Sequence, residues 1–353
     1  MSKITNQKIK TFTVGYDNKR YDESNRASQV AKHINSEHHE FKLNYDQVIN
    51  DLDDLILNYD EPFADPSALP SYFISKQTSD FVKVVLTGDG GDEVFGGYNK
   101  YLLHSYGKIY QKIVPKFISK NFIEPSINLM SKKNIDTKSF VTKTKKLFNS
   151  LVGDSFENHL NIIQLGFKNE ELHKLCSHRP IINISDLLKK SLPHKSKFLN
   201  SDLKLARYID LKISLEGDLL TKMDRASMLN SIECRAPLLD HRLVDFSNSI
   251  PDSFLINFGN KKRIFKDTFK HLLPNNFLKS PKSGFEVPIG NWFRNELKND
   301  FIKTLSDSNL NRHSFFNLKY VNLLIDQHFS FKIDHSWKLW TLYCFQKWYN
   351  NNY

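Results

Sequence analysis

The sequence predicts an α/β fold: a parallel sheet covered by helices, followed by a longer, mostly helical region. Three observations lead there. The opening hundred of the 353 residues alternate strand and helix patterns. The third strand runs straight into a loop dense in glycine and carboxylate, "LTGDGGDEVFGGY" at residues 86–98. Beyond about residue 100 the strand signals thin out, and stretches rich in Lys, Leu, Ile and Phe read as helices.

Taken in order, Ile9 to Gly15 alternates apolar and polar residues and ends on glycine, which predicts a strand. Residues 22–36 carry Ala27, Val30, Ala31 and Ile34 at helical spacing. His39 to Leu43 predicts a short second strand. Residues 45–58 repeat Val48, Ile49, Leu52, Leu55 and Ile56, again helical. A proline-rich turn at 60–66 precedes a helix over 68–80 and a third strand over 81–86. This order divides the chain into a sheet region, 1–105, and a helical region, 106–353. The polar, basic stretch 132–146 is expected at the surface. No internal repeat is found. In parallel sheets ligands sit beyond the carboxyl ends of the strands, so the loops after Val14 and Leu86 are where chemistry is expected.

Bulk composition excludes several classes. The net charge is +11, but the basic residues are spread through the chain rather than packed into one tail, so no nucleic-acid partner is expected. No apolar run approaches the ~18 residues of a membrane span, and residues 1–8 are polar with no signal-peptide core. The expectation is a soluble cytoplasmic protein with no membrane partner. Cys176, Cys234 and Cys344 lie far apart and fit neither CxxC nor zinc spacing, which predicts free thiols in a reduced compartment. The histidines are scattered, and none is assigned a catalytic role.

The glycine loop holds five glycines and three carboxylates, Asp89, Asp92 and Glu93. A bare Gly/Asp turn would need fewer of both. Gly88, without a Cβ, lets a flat ligand lie against the backbone. Hard oxygen ligands at a sheet's carboxyl edge suit Mg²⁺, which takes one or two carboxylates plus substrate phosphates. Farther on, Asn260 is a good N-cap, and Ile264, Phe265, Phe269 and Leu272 form a buried stripe. Lys261, Lys262 and Arg263 then fall in the first turn, either as a solvated basic face or as an anion site. Between 222 and 240, Lys222, Asp224, Arg225, Glu233, Arg235 and Asp240 crowd around a short apolar core, as a buried network or as the lining of a substrate pocket.

With "DEPFADPSALPSYFISK" at 60–76, "KMDRASMLNSIECRAPLLDHRLVD" at 222–245 and "NKKRIFKDTFKHLLPNNFLKSPKSGFEVPIGNWFR" at 260–294, the glycine loop resembles the synthetase domain of glutamine-dependent asparagine synthetases. These blocks stand in the family's order and span residues 9 to about 300. The resemblance implies an ATP pyrophosphatase-type α/β domain with a helical C-terminal part. It implies asparagine synthesis from aspartate, ATP and ammonia through a β-aspartyl-adenylate, with Mg²⁺ on the nucleotide. Asp92 matches the Mg²⁺ ligand. Lys262 matches the pyrophosphate-binding lysine, and Asp89 a carboxylate tied to the adenylate. Val14, Thr87 and Gly88 match positions that contact the nucleoside through backbone. Related enzymes amidate other carboxylates, and a non-enzymatic remnant is the remaining alternative.

Two parts of the family pattern are not found. The chain opens Met1-Ser2, without the glutaminase cysteine, and contains no SGGxDS turn. The expectation is therefore a chain truncated at its N-terminus, lacking the sheet's first strand and impaired on its own. A glutaminase chain or domain would be its partner, and a homodimer is compatible with the resemblance.

Overall fold

A computed structural model of the chain describes residues 1–16, 22–43, 49–114, 154–176, 181–191, 201–257, 259–274, 277–279 and 287–353, with short pieces between 116 and 125. The basic stretch 132–146 lies outside the described residues.

Strand β1 (Lys10–Gly15) leads through helix α1 (Ser24–His33) to β2 (Glu37–Lys42), and the two strands pair in parallel with Lys10 opposite Glu37 and Gly15 opposite Lys42. Helices α2 (Leu52–Leu57) and α3 (Ala68–Thr78) follow, then β3 (Val84–Leu86). Helix α3 is buried on nearly every side, so its polar residues need internal partners. Ser71 and Ser75 find them by donating to the carbonyls of Ser67 and Ser71, at 2.9 and 2.8 Å. Pro70 falls in the first turn of α3, where its missing N–H costs nothing.

The glycine loop contains α4 (Gly91–Phe95), and α5 spans Asn99–Ile113. Then come α6 (Ser155–Ile163), α7 (Asn169–Leu175), α8 (Ile184–Ser191) and α9 (Asp202–Ile209). A π-helical stretch, Asp210–Leu220, joins α9 to α10 (Thr221–Met228). A fourth strand, β4 (Glu233–Arg235), pairs in parallel with β3, Val84 opposite Glu233 and Leu86 opposite Arg235. Helices α11 (His241–Ser249), α12 (Asp252–Leu255), α13 (Arg263–Phe269), α14 (Ile289–Arg294), α15 (Lys298–Thr304), α16 (Asp307–Asn311), α17 (Leu318–Phe329) and α18 (Ser336–Asn352) complete the fold.

Strand β4 is a correction to the sequence reading, which expected no strand so late. Ile232 to Ala236 alternates apolar and polar residues over too short a run to stand out among helical patterns, and pairing with β3 holds it extended. The sheet also differs from a single continuous one. Among the described residues the strands form two separate parallel pairs, β1–β2 and β3–β4.

Two apolar cores hold these layers. One joins Val14, Leu52, Leu69 and Phe73 to Phe293, Phe301, Trp340 and Tyr343 of the C-terminal helices. The other surrounds α4 with Val94, Phe95, Tyr101, Leu203, Ala206 and Leu255. Each core mixes residues from before and after residue 105.

Candidate functional site

The glycine loop leaves β3 at Thr87, whose hydroxyl donates to Asp89 at 2.7 Å. Helix α4 has Gly90 before it and Gly96 after it, both in the left-handed region at φ 77° and 72°. Their conformation needs glycine, and so does the space around them. A Cβ on Gly90 would stand 1.9 Å from the Leu239 side chain. Gly88, in contrast, has open space at its Cβ position, as expected of a backbone that a ligand approaches. Asp92 lies in the first turn of α4, where a carboxylate is favoured by the helix dipole.

Lys262 comes from 170 residues away and places Nζ 3.0 Å from Asp92 Oδ1. Both side chains are half-buried. Gly97 makes this approach possible, because a Cβ there would lie 1.7 Å from Asp92 Oδ1 and 2.3 Å from Lys262 Cε. Lys262 itself sits at φ 50°, ψ 37°, a left-handed conformation that costs a residue with a Cβ about 1–2 kcal/mol. This corrects the sequence reading of the region. Asn260 does not cap the helix; it pairs with Asn257 across a tight turn through Gly259, and α13 starts at Arg263 with Lys262 as N-cap. Beyond it, burial and then the neighbouring Lys262 charge hold the Lys266 ammonium below its ordinary pKa.

Sequence reasoning missed what holds this loop in place. Arg207 of α9 is fully buried and donates Nε to Glu93 O at 2.9 Å, and Nη2 to Val94 O at 2.5 Å and Ser247 Oγ at 2.9 Å. It supplies a fixed cation and donors to the carbonyl end of α4. The signal was present, since Arg207 interrupts the buried stripe of Leu203, Ala206 and Ile209. Glu93 is buried beside it, accepts from the Tyr98 hydroxyl at 2.6 Å, and has its carboxyl pKa raised by burial.

The fold also holds two buried charge networks. Lys100 and His159 both reach Asp210 Oδ1, at 2.8 and 2.9 Å, and His104 bonds His159 at 2.9 Å. Burial works against the Asp210 charge, but His159 and Lys100 outweigh it and lower the carboxyl pKa. Burial and then His159 push the His104 imidazole down to about 4. In the second network Lys222 donates to Asp65 at 2.9 Å and to Ser67 at 2.7 Å. Asp218, in the π-helical stretch, is raised to about 7 by burial and then by Asp65.

Of the proposed substrate-pocket residues, Arg225 pairs with Asp60, Glu233 pairs with Arg235 at 2.7 Å on the surface, and Asp224 is exposed. The structure does not gather these four at one buried point. It does set Arg235 beside the loop, because its carbonyl accepts the Thr87 N–H at 2.8 Å. Val14, next to last in β1, has its side chain in the larger core.

No cluster of three or more His, Cys, Asp or Glu side chains forms a metal cage among the described residues. Magnesium does not need one, since it commonly takes one or two carboxylates and completes its shell with phosphate oxygens and water. Asp92, half-buried at the loop with a lysine beside it, fits that mode.

A family model for asparagine synthase matches residues 1–350. The chain belongs to the asparagine synthase family. It is 28% identical over 344 residues to asparagine synthetase [glutamine-hydrolyzing] 1 of Bacillus subtilis, covering 98% of this chain and 52% of that protein. It is 27% identical over 349 residues to a putative asparagine synthetase of Mycobacterium bovis, with 98% and 51% covered. A putative asparagine synthetase of Methanocaldococcus jannaschii is 39% identical over 111 residues, 31% of this chain and 21% of that protein. The chain thus spans about half the length of the first two relatives. Membership in the asparagine synthase family agrees with the α/β sheet elements, the helical majority and the glycine loop after β3.

Proposed function

We propose that this chain carries the ATP-using ligase site of an asparagine synthetase. In this reading the side-chain carboxylate of aspartate attacks the α-phosphorus of ATP, and the bond to pyrophosphate breaks. Ammonia then attacks the acyl carbon of the β-aspartyl-adenylate, AMP leaves, and the nitrogen loses a proton. The observation that carries the proposal is the meeting of Lys262 and Asp92 at 3.0 Å in the glycine loop, whose Gly88 is exposed.

Each residue then has a task that its placement supports. The Lys262 ammonium faces negative charge that grows on the departing pyrophosphate, which lowers the barrier. Asp92 would hold Mg²⁺, which when bound offsets the charge of the triphosphate. Thr87, Gly88 and Val14 present backbone to the nucleoside. Asp89, fixed by the Thr87 hydroxyl, acts where the adenylate forms. Asp224, Arg225, Glu233 and Arg235 belong to the surroundings of the acceptor, Arg235 nearest the loop.

The test is a melting curve with and without Mg-ATP, since a ligand bound only by the folded chain raises Tm. A rise is expected for the wild type and little or none for Lys262→Ala or Asp92→Asn. An equal rise in all three would remove both residues from the site. Pyrophosphate release that requires aspartate and ammonium, and no other carboxylate, would establish the acceptor.

A further inference from the structure

The glycines of the acidic loop meet two unlike surroundings. Gly88 has open space where a Cβ would stand, whereas the places of the next two are filled by leucines. Leu239 Cδ2 lies 1.9 Å from the Cβ position of Gly90, with Leu239 Cγ at 2.5 Å, and Leu238 Cδ1 lies 2.7 Å from that of Gly91. The Lys262 ammonium approaches the same point over Gly91, at 3.5 Å. Both leucines belong to a 3₁₀ turn, Pro237–Leu239, that follows β4 after Ala236. Ahead of the turn, Arg235 O accepts the Thr87 N–H at 2.8 Å. Behind it, Asp240 caps α11 by accepting the Arg242 N–H at 2.9 Å. The two leucine side chains are half-buried and pack on the core around α4. Segment 235–240 is thus anchored at both ends, and it touches the loop at Thr87, Gly90 and Gly91.

We propose that Leu238 and Leu239 are positioning residues for the carboxylates of this loop. The inference rests on the ligase reading of the site and adds the template against which Asp89 and Asp92 are set. Glycine loses more conformational freedom on ordering than any other residue, so a free glycine-rich loop spreads its carboxylates over many positions. Side chains that occupy the missing Cβ volumes leave one backbone path. Leu239 fits the left-handed Gly90 that precedes α4, and Leu238 fits Gly91, the first residue of α4. Neither leucine has a polar group for phosphate, so both act through the loop. The open space at Gly88 stays free for a ligand. Such placement bears on catalysis, because a misplacement of about 1 Å can cost ~10²-fold in rate.

Leu239→Ala empties the volume over Gly90, whereas Leu239→Met nearly keeps it. Leu310→Ala, in the larger core, is the control for a purely structural loss. Amide hydrogen exchange reads the loop without any ligand, through Val94 N–H, which donates to Gly90 O at 2.8 Å, and Gly97 N–H, which donates to Asp92 O at 2.7 Å. Calorimetric titration with Mg-ATP, well below the Tm of every variant, reads the affinity of the folded chain. Leu239→Ala should speed exchange at both amides and weaken Mg-ATP binding, each by roughly ten-fold or more. Leu239→Met should stay close to the wild type in both. Leu310→Ala should lower Tm and change neither. If Leu239→Ala does not fold, Leu238→Ala carries the same expectation. Unchanged exchange would overturn the template. Faster exchange with unchanged affinity would overturn the positioning role, and so would equal losses in Leu310→Ala. A wild-type chain that binds no Mg-ATP would sink the ligase reading instead, and the exchange rates alone would then decide the template.

Discussion

Lys262 shows how a single residue is placed at a cost. Its left-handed backbone is one that glycine or asparagine adopts with less strain, yet its Nζ reaches Asp92 from there. Two substitutions separate strain from task. Both substitutions remove the ammonium and its methylene stem, but Lys262→Gly also removes the Cβ, which Lys262→Ala keeps. Urea unfolding should find the glycine variant more stable than the alanine variant by about 1 kcal/mol, with both losing the Tm rise caused by Mg-ATP. Equal stabilities would mean that the backbone is relaxed. Gly97 is the counterpart on the loop. A methyl there lands on Asp92 Oδ1 and Lys262 Cε, so Gly97→Ala should force the pair apart, costing about 1–3 kcal/mol as overpacking does. The Mg-ATP shift should fall with it. Asp89, Asp92 and Lys262 were named as candidates because the acidic glycine loop and the basic turn drew attention to them and the resemblance to asparagine synthetases implied their roles. The conformation of Lys262 was not, since a lysine after Asn-Lys reads as helix and only the Asn257–Asn260 turn turns the chain left-handed.

At the scale of elements, α4 is only five residues long, far too short to hold itself together in water. Its order comes from α9 and α11, through Arg207 and Ser247. Arg207→Met keeps much of the buried bulk but strips the donors from Glu93 O and Val94 O. The loss should be about 3–5 kcal/mol, the range for breaking a buried charged network, read as a lower urea midpoint. Arg207→Lys should rescue it only in part, since an ammonium cannot reproduce the planar fork. An unchanged midpoint for Arg207→Met would show that packing alone fixes the loop. The same contrast explains what the sequence disclosed of the elements. Helix α1 and strand β1 announce themselves by their own periodicity, and β3 by its apolar run before the glycine loop. Strand β4 has only a five-residue alternation, Ile232 to Ala236, and is held extended by the edge that β3 offers it. Arg207 was readable only as an anomaly, a cation set in an apolar stripe.

Across the whole molecule, the fold buries two charge systems, Lys100–Asp210–His159–His104 and Asp65–Lys222–Asp218. The sequence marked Lys222 as part of a buried network or a pocket lining but not its partner Asp65, and the His159–Asp210 pair was not visible, because both join distant segments. The second carries more negative charge than its lysine offsets, and Asp218 absorbs the imbalance by keeping its proton. With the folded pKa near 7 and an ordinary aspartate near 3.9 in the unfolded chain, the folded state binds the extra proton between those values. Stability should therefore fall as pH rises from about 4 through about 7. Asp218→Asn removes the burden above pH 7 while keeping the shape. At pH 8 the variant should exceed the wild type in urea stability by on the order of 1 kcal/mol, and at pH 4 the two should converge. An advantage of the same size at both pH values would show that the asparagine acts through packing or hydrogen bonding, and that Asp218 is ionised in the folded protein throughout.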